Sequence, residues 1–326
     1  MATAELFSMS AIFSCVEHIA QTLRMEEKVL GDSRFLNLRE QFYYRFFLKV
    51  SPIITSCIDG YNVCLFAYGH TGSGKTYTME GPESDPGINQ RAIMQLFEAA
   101  VDGQKSNIVY KINVSMMEIY NEKNQVDLLG SSNAALTIRM TEEGQLSIPG
   151  LQQIQVTSVQ HVIDVLREGR KNKAVASTEA NSCSSRSHVI VRVIVTAKKQ
   201  YYWYDYSRLN LIDLAGSERV SQTNATGQLL KEAQAINKSL SELGNVVLAL
   251  RQNQKHVPFR NCQLTRILED SLNGDSKTLV IVHLSPDAIH SNESASSMSF
   301  AEKIGQIQTK GLRRDTVSRR SATGNK

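Results

Sequence analysis

Eight consecutive residues, Gly69-His70-Thr71-Gly72-Ser73-Gly74-Lys75-Thr76, fit G-x-x-x-x-G-K-[ST] and directly follow an apolar run, Val63 to Tyr68. Each residue type in the string has a use with phosphate. Glycines let backbone N–H groups curl around an oxyanion, the Lys75 ammonium supplies charge to terminal phosphoryl oxygens, and the Thr76 hydroxyl suits Mg2+ at a helix N-terminus. A chance glycine-rich turn seldom meets every position of the motif right after a strand, so the string predicts a nucleotide phosphate site.

Such a loop needs a carboxylate for the metal shell. The apolar segment Leu209 to Leu214 carries Asp213 near its end, followed by Ala215-Gly216-Ser217-Glu218. An Asp at a strand end can join the metal shell, and a glycine three residues on lets a backbone N–H reach a γ-phosphate. D-x-x-G is a weak signal alone, but one reaction needs both parts. A third string, Asn181-Ser182-Cys183-Ser184-Ser185-Arg186-Ser187-His188, precedes another strand candidate. Read alone it is a solvated polar loop. Beside a phosphate site its hydroxyls can complete the metal shell or orient water, and Arg186 can pair with a carboxylate such as Glu218 to close the site.

These loops require a frame that brings them together. The spacing predicts helices over roughly 38–59, 89–101, 159–176, 231–253 and 264–272, and strands over 63–68, 109–120, 189–197, 209–214 and 278–284. Alternation of the two predicts an α/β sheet with helices on both faces. The segment from Lys198 to Arg208, with Tyr201, Tyr202, Trp203, Tyr204 and Tyr206, reads as a long hairpin whose aromatics pack across strands rather than stack on bases. The first thirty residues read as an amphipathic helix, and from about Gly305 the periodicity stops and the chain reads as a disordered basic tail.

Composition narrows the class. The chain has 326 residues, 41% hydrophobic and 21% charged, which excludes a stapled mini-protein and wholesale disorder. Net charge is +4, yet seven Lys/Arg against one Asp lie from Lys303 onward, so the basic character belongs to the tail. Five scattered cysteines without a C-x-x-C pair argue against a disulfide framework or structural zinc and for a reducing compartment. The apolar runs are too short to span a bilayer, so membrane insertion is not expected. A GTPase reading lacks its base-reading N-K-x-D string, because Asn237-Lys238-Ser239 continues with Leu240.

The strings G-H-T-G-S-G-K-T, N-S-C-S-S-R-S-H and D-L-A-G-S-E, in this order, resemble the phosphate loop, switch I and switch II of the kinesin motor domain. Supporting matches are Tyr120-Asn121-Glu122 with Asp127-Leu128-Leu129, Asn237-Lys238-Ser239-Leu240, His256-Val257-Pro258-Phe259-Arg260-Asn261, Asp270-Ser271-Leu272 and Phe300-Ala301-Glu302. The wording around Gly87 to Ala92, with the chain ending soon after Phe300-Ala301, is most similar to the C-terminal-motor, minus-end-directed subgroup. The resemblance covers residues 48–308 and implies an α/β P-loop NTPase fold there, a kinesin-type central mostly-β sheet flanked by helices on both faces, with 1–47 an atypical helical segment in place of the family's first strand and 309–326 a basic disordered tail. It implies a microtubule-stimulated motor ATPase of the cytoplasmic cytoskeleton, using ATP and Mg2+, binding microtubules rather than nucleic acid, and dimerising through a neck outside this chain. Gly69, His70, Thr71, Gly72, Ser73, Gly74, Lys75 and Thr76 would hold the phosphates, and Tyr77 would pack on adenine. Thr76, Ser185 and Asp213 would form the metal shell, Asp213 through water. Ser184 would position the attacking water, Gly216 would sense the γ-phosphate, and Arg186 with Glu218 would close the site. Lys238, Arg260 and Arg266 would face the microtubule. Members begin with a strand ending in an R-x-R-P-like motif, and residues 1–47 contain no Pro. A non-catalytic microtubule-binding module, inactive for want of that strand, is the alternative.

Overall fold

A computed structural model describes residues 46–103, 108–120, 122, 124–130, 135–140, 146–179, 186–199, 202–219, 227–273 and 276–307. The expected helix over the first thirty residues and the basic tail lie outside them. Residues 46–55 form helix α1, whose Val50 and Ile54 are buried. Strand β1 (Asn62–Tyr68) follows, its five central residues buried. Its side chains alternate between two cores: Val63, Leu65 and Ala67 join one, Cys64 and Phe66 the other. A strand apolar at every position is what a sheet covered on both faces demands.

Among the described residues, seven strands make the main sheet. β1 pairs in parallel with β8 (Tyr202–Asp213) on one side and β9 (Ser276–Val282) on the other. β8 runs antiparallel to β7 (Ser187–Lys199), β7 to β2 (Val109–Tyr120), and β2 to both β3 (Asn124–Asp127) and β6 (Ile154–Val156). The sheet is therefore mixed. A separate ribbon joins β4 (Arg139–Met140) and β5 (Leu146–Ser147).

Helices cover the two faces. On the first, α3 (Ile88–Gly103) contributes Ile88, Ile93 and Leu96, and α4 (Val159–Glu179) contributes Val162 and Val165, to the core around β1 and β7. On the second, α5 (Gly227–Arg251), α6 (Gln263–Leu272) and α7 (Ser291–Gly305) cover the sheet with Leu243, Val246, Leu264, Leu268 and Phe300. The short α2 (Lys75–Met79) opens directly from the glycine-rich loop.

The other expected elements recur within a few residues, β2 with the expected bounds; of the helix expected over 38–59, residues 46–55 are helical and 38–45 lie outside the described residues. The expected hairpin is a continuation of β7 and β8 as far as Lys199 opposite Tyr202, with a register shift between Val195 and Thr196. The side chains of residues 202–206 lie outside the description. Helix α7 had no apolar signature because its buried stripe is Glu293, Ser297 and Phe300, two polar residues of three. Replacing Phe66, fully buried in β1, leaves a cavity in a two-sided core. Phe66→Ala is expected to cost about 3–5 kcal/mol in urea-induced unfolding; a loss below about 1 kcal/mol would show that β1 is not central.

Candidate active site

Strand registry assembles the site. Parallel pairing sets Ala67 opposite Asp213, two residues before Gly69, so the glycine-rich loop and the acidic strand end emerge side by side. Antiparallel pairing sets Val189 opposite Asp213, which brings Arg186, Ser187 and His188 to the same edge. Loop contacts extend the ladders: Leu214 N–H donates to Ala67 O at 3.4 Å, Ser217 N–H to Gly69 O at 3.1 Å, and His283 N–H to Tyr68 O at 2.8 Å. Gly69 has φ 154°, and a Cβ there would stand 2.6 Å from the His283 carbonyl oxygen, so glycine is required by the close approach of β9.

Thr76 Oγ1 donates to Asp213 Oδ2 at 2.6 Å. Asp213 is buried, and its Oδ1 has no hydrogen-bond partner. Burial raises the Asp213 pKa above the usual carboxylate value, opposed by Thr76, Lys173 and Lys75. Lys75 is buried and its Nζ donates to the carbonyls of Gly69 and His70 at 2.8 and 2.9 Å. Burial lowers its pKa, with Asp213 and Glu218 pulling the other way. Ser73 Oγ and His70 Nε2 are also buried without partners. A hydroxyl, an orphaned carboxylate oxygen and an ammonium at one loop fit a hydrated Mg2+ and the phosphates it accompanies.

The expected Arg186–Glu218 pair is not formed in this structure. Glu218 instead accepts from Thr71 N–H at 2.9 Å and from Thr71 Oγ1 at 2.6 Å. Its carboxylate occupies an N–H of the phosphate loop, where anions are favoured. Gly216 lies beneath, and a Cβ there would collide with both the Glu218 carboxylate and the Thr71 hydroxyl. Arg186 Nη1 bonds Glu232 Oε2 on α5 at 3.0 Å, with the Glu232 side chain only 3% exposed.

Ser184 and Ser185 lie outside the described residues. Tyr77 follows the loop in α2 and is 48% exposed. Lys238 and Arg260 are exposed and Arg266 is half-buried. Lys238 acts on Glu122, whose carboxylate accepts from Gln263 N–H at 2.6 Å, while Arg260 and Arg266 both act on Glu269. The three cations thus gather around α6.

Sequence reasoning missed several participants. Ser187 Oγ donates to buried Glu118, fixing the end of the switch I string. Glu232 is invisible as a partner because α5 places it only through tertiary packing. His283 Nε2 lies 2.9 Å from Thr78 Oγ1 behind the loop. His188 accepts Ala215 N–H on Nδ1 at 3.1 Å and sets Nε2 2.9 Å from Ser239 Oγ.

Burial, then the Lys75 charge, pushes the pKa of His188 down to about 3 and that of His283 to about 4. The folded state binds these protons less readily than the unfolded chain, so their contribution to stability is lost as pH falls from about 6.5 toward those values. NMR of ring-labelled histidine is expected to show both rings neutral at pH 5.5. Titration of either near pH 6.5 would contradict their burial.

The comparisons agree with this geometry. A family model described as the kinesin motor domain matches residues 30–307. Kinesin-like protein klp-3 of Caenorhabditis elegans is 72% identical over 280 residues, covering 85% of this chain and 46% of that protein. Kinesin-like protein KIN-14P of Arabidopsis thaliana is 46% identical over 271 residues, covering 80% of this chain and 26% of that protein. The chain thus spans less than half the length of these curated relatives. The solved structure of a fast kinesin superposes with TM-score 0.77 at 39% identity, covering 85% of this chain and 80% of that chain. The C-terminal motor and motor homology domain of Kar3Vik1 gives TM-score 0.72 at 39% identity, covering 82% of this chain and 69% of that chain. The mixed sheet, the phosphate loop joined to Asp213 and a family match across most of the chain lead to one conclusion: the chain belongs to the kinesin motor domain family, with neighbours that fit its C-terminal-motor subgroup.

Proposed function

We propose that this domain hydrolyses Mg·ATP and couples hydrolysis to binding microtubules and moving along them toward the minus end, within the cytoplasmic cytoskeleton. The observation that carries the reading is the Thr76–Asp213 contact at 2.6 Å beside Lys75, with Asp213 Oδ1 buried and unpartnered. Such a carboxylate oxygen is costly unless a cation or its water meets it. Thr76, Ser185 and, through water, Asp213 would hold Mg2+, which neutralises phosphate charge when bound.

The chain's own residues do the rest. Lys75 turns from its two backbone carbonyls toward the β and γ oxygens, and the N–H groups of Gly69 to Thr76 hold the phosphates. Tyr77 offers its ring to adenine. Ser184 orients the attacking water, and the Gly216 N–H meets the γ-phosphate. Glu218 leaves Thr71 and Arg186 leaves Glu232, so that the two pair and exclude bulk water from the reacting bond. Loss of the γ-phosphate releases both loops, and α5 moves with them.

Steady-state ATPase of the purified chain with and without polymerised tubulin tests the reading. Stimulation by tubulin supports it, and its absence with tight nucleotide binding would favour the non-catalytic alternative. Glu218→Ala leaves the phosphate loop whole but removes the closing pair. Nucleotide is expected to bind still, while hydrolysis falls at least about tenfold, or ~1.4 kcal/mol of barrier. Equal ATPase rates in variant and parent would reject the closing role.

On the filament side, Lys238, Arg260 and Arg266 would meet an acidic surface, so microtubule affinity should fall as salt rises. Replacing all three with Ala is expected to weaken co-sedimentation at least about tenfold. Survival of co-sedimentation in the triple variant, with its loss on deleting residues 309–326, would assign binding to the basic tail.

A further inference from the structure

His188 and Ser239 form a buried link that the nucleotide reading leaves unused. His188 is 2% exposed and Ser239 fully buried. The direction of each hydrogen bond is fixed from both ends. Ser239 Oγ–H donates to Ile236 O at 2.7 Å, which leaves its oxygen as the acceptor for His188 Nε2–H at 2.9 Å. Nδ1 is then the unprotonated nitrogen, and it accepts Ala215 N–H at 3.1 Å. One imidazole therefore joins three elements: the start of β7, which carries it, the backbone between Asp213 and Gly216, and the middle of α5.

Its position gives the link direction. Ala215 is the residue before Gly216, so motion of the Gly216 N–H toward a phosphate moves the Ala215 peptide with it. Ser239 follows Lys238, exposed on the proposed filament side. The carbonyl of Ser239 also receives Cys262 Sγ at 3.9 Å, at the N-cap of α6. Leu214 and Ala215 also share an apolar core with Ile236 and Leu240, which is close-packed but not directional. A rigid ring with one acceptor and one donor set at opposite corners transmits a displacement where an apolar contact slides.

We propose that His188 is a positioning residue that ties the Asp213–Glu218 loop to helix α5, so that the response of the loop to a γ-phosphate reaches the filament-facing helix through Ala215, the imidazole and Ser239. That α5 faces the filament rests on the proposed function; the coupling itself needs only nucleotide.

The test is hydrogen exchange across residues 227–251 of the full chain, with Mg2+ and adenylyl imidodiphosphate or without. In the parent the analogue is expected to change exchange in α5 at least about threefold. His188→Asn keeps an acceptor near Nδ1 and removes the donor to Ser239; Ser239→Ala removes the acceptor from the α5 side and touches no loop residue. Both are expected to bind the analogue within about twofold of the parent by calorimetry while losing most of the α5 response, and the double variant to be no worse than either. A merely structural role would lower stability without separating binding from response. Should His188→Asn fail to fold, Ser239→Ala decides alone. A parent-like α5 response in Ser239→Ala, or no response in the parent, overturns the proposal. Tubulin stimulation of the parent ATPase, measured in parallel, separates the two readings: its absence with an intact α5 response counts against the motor function and leaves the coupling standing.

Discussion

The parallel ladder between β1 and β8, with Ala67 opposite Asp213, is the constraint on which the site depends. Strand side chains alternate, so a slip of one residue would turn Asp213 away from Thr76 and send Val63, Leu65 and Ala67 to the wrong core. The two-sided burial of β1 makes such a slip prohibitive. Registry then continues past the strand ends: Ser217 pairs with Gly69, and His283 with Tyr68. The phosphate loop is clamped between neighbours on both sides before any ligand arrives.

Around that fixed centre lie two charged pairs that the proposed reaction would exchange. The Glu218 carboxylate uses the Thr71 N–H, a donor in the same cradle that serves phosphate, and Arg186 rests on a nearly buried Glu232. On the proposed function, a nucleotide phosphate would compete with Glu218 for that donor, and Glu218 would then pair with Arg186, which β7 positions at the same edge. The exchange has a cost, because a buried Glu232 that loses its guanidinium is an uncompensated charge. A nucleotide that fills the cradle completely offsets it, and a product that fills only part does not. On that reading, dependence on the γ-phosphate would follow from which anion holds Thr71.

Much of this was legible in the sequence because the loop chemistry is local. Glycine spacing, Lys75 and Thr76 mark a phosphate-loop motif within eight residues, and an apolar strand ending in Asp213 marks the carboxylate that meets Thr76. The strands read clearly where burial on both faces made them apolar throughout, as in β1. Tertiary choices were not legible. Nothing in the spacing separates Glu218 from Glu232 as the partner of Arg186, since both are acidic and the fold alone decides distance. His188 read as the end of a polar string, and its link to Ser239 crosses 51 residues of sequence. Helix α7 was hidden because it packs on the sheet through Glu293 and Ser297 as well as Phe300.

The exchange of charged partners is tested most directly by a crystal structure of the chain with Mg2+ and a non-hydrolysable ATP analogue. The account predicts Arg186 on Glu218, Glu232 released, and the Thr71 N–H turned to phosphate oxygen. An analogue held in the loop while Glu218 remains on Thr71 and Arg186 on Glu232 would contradict it.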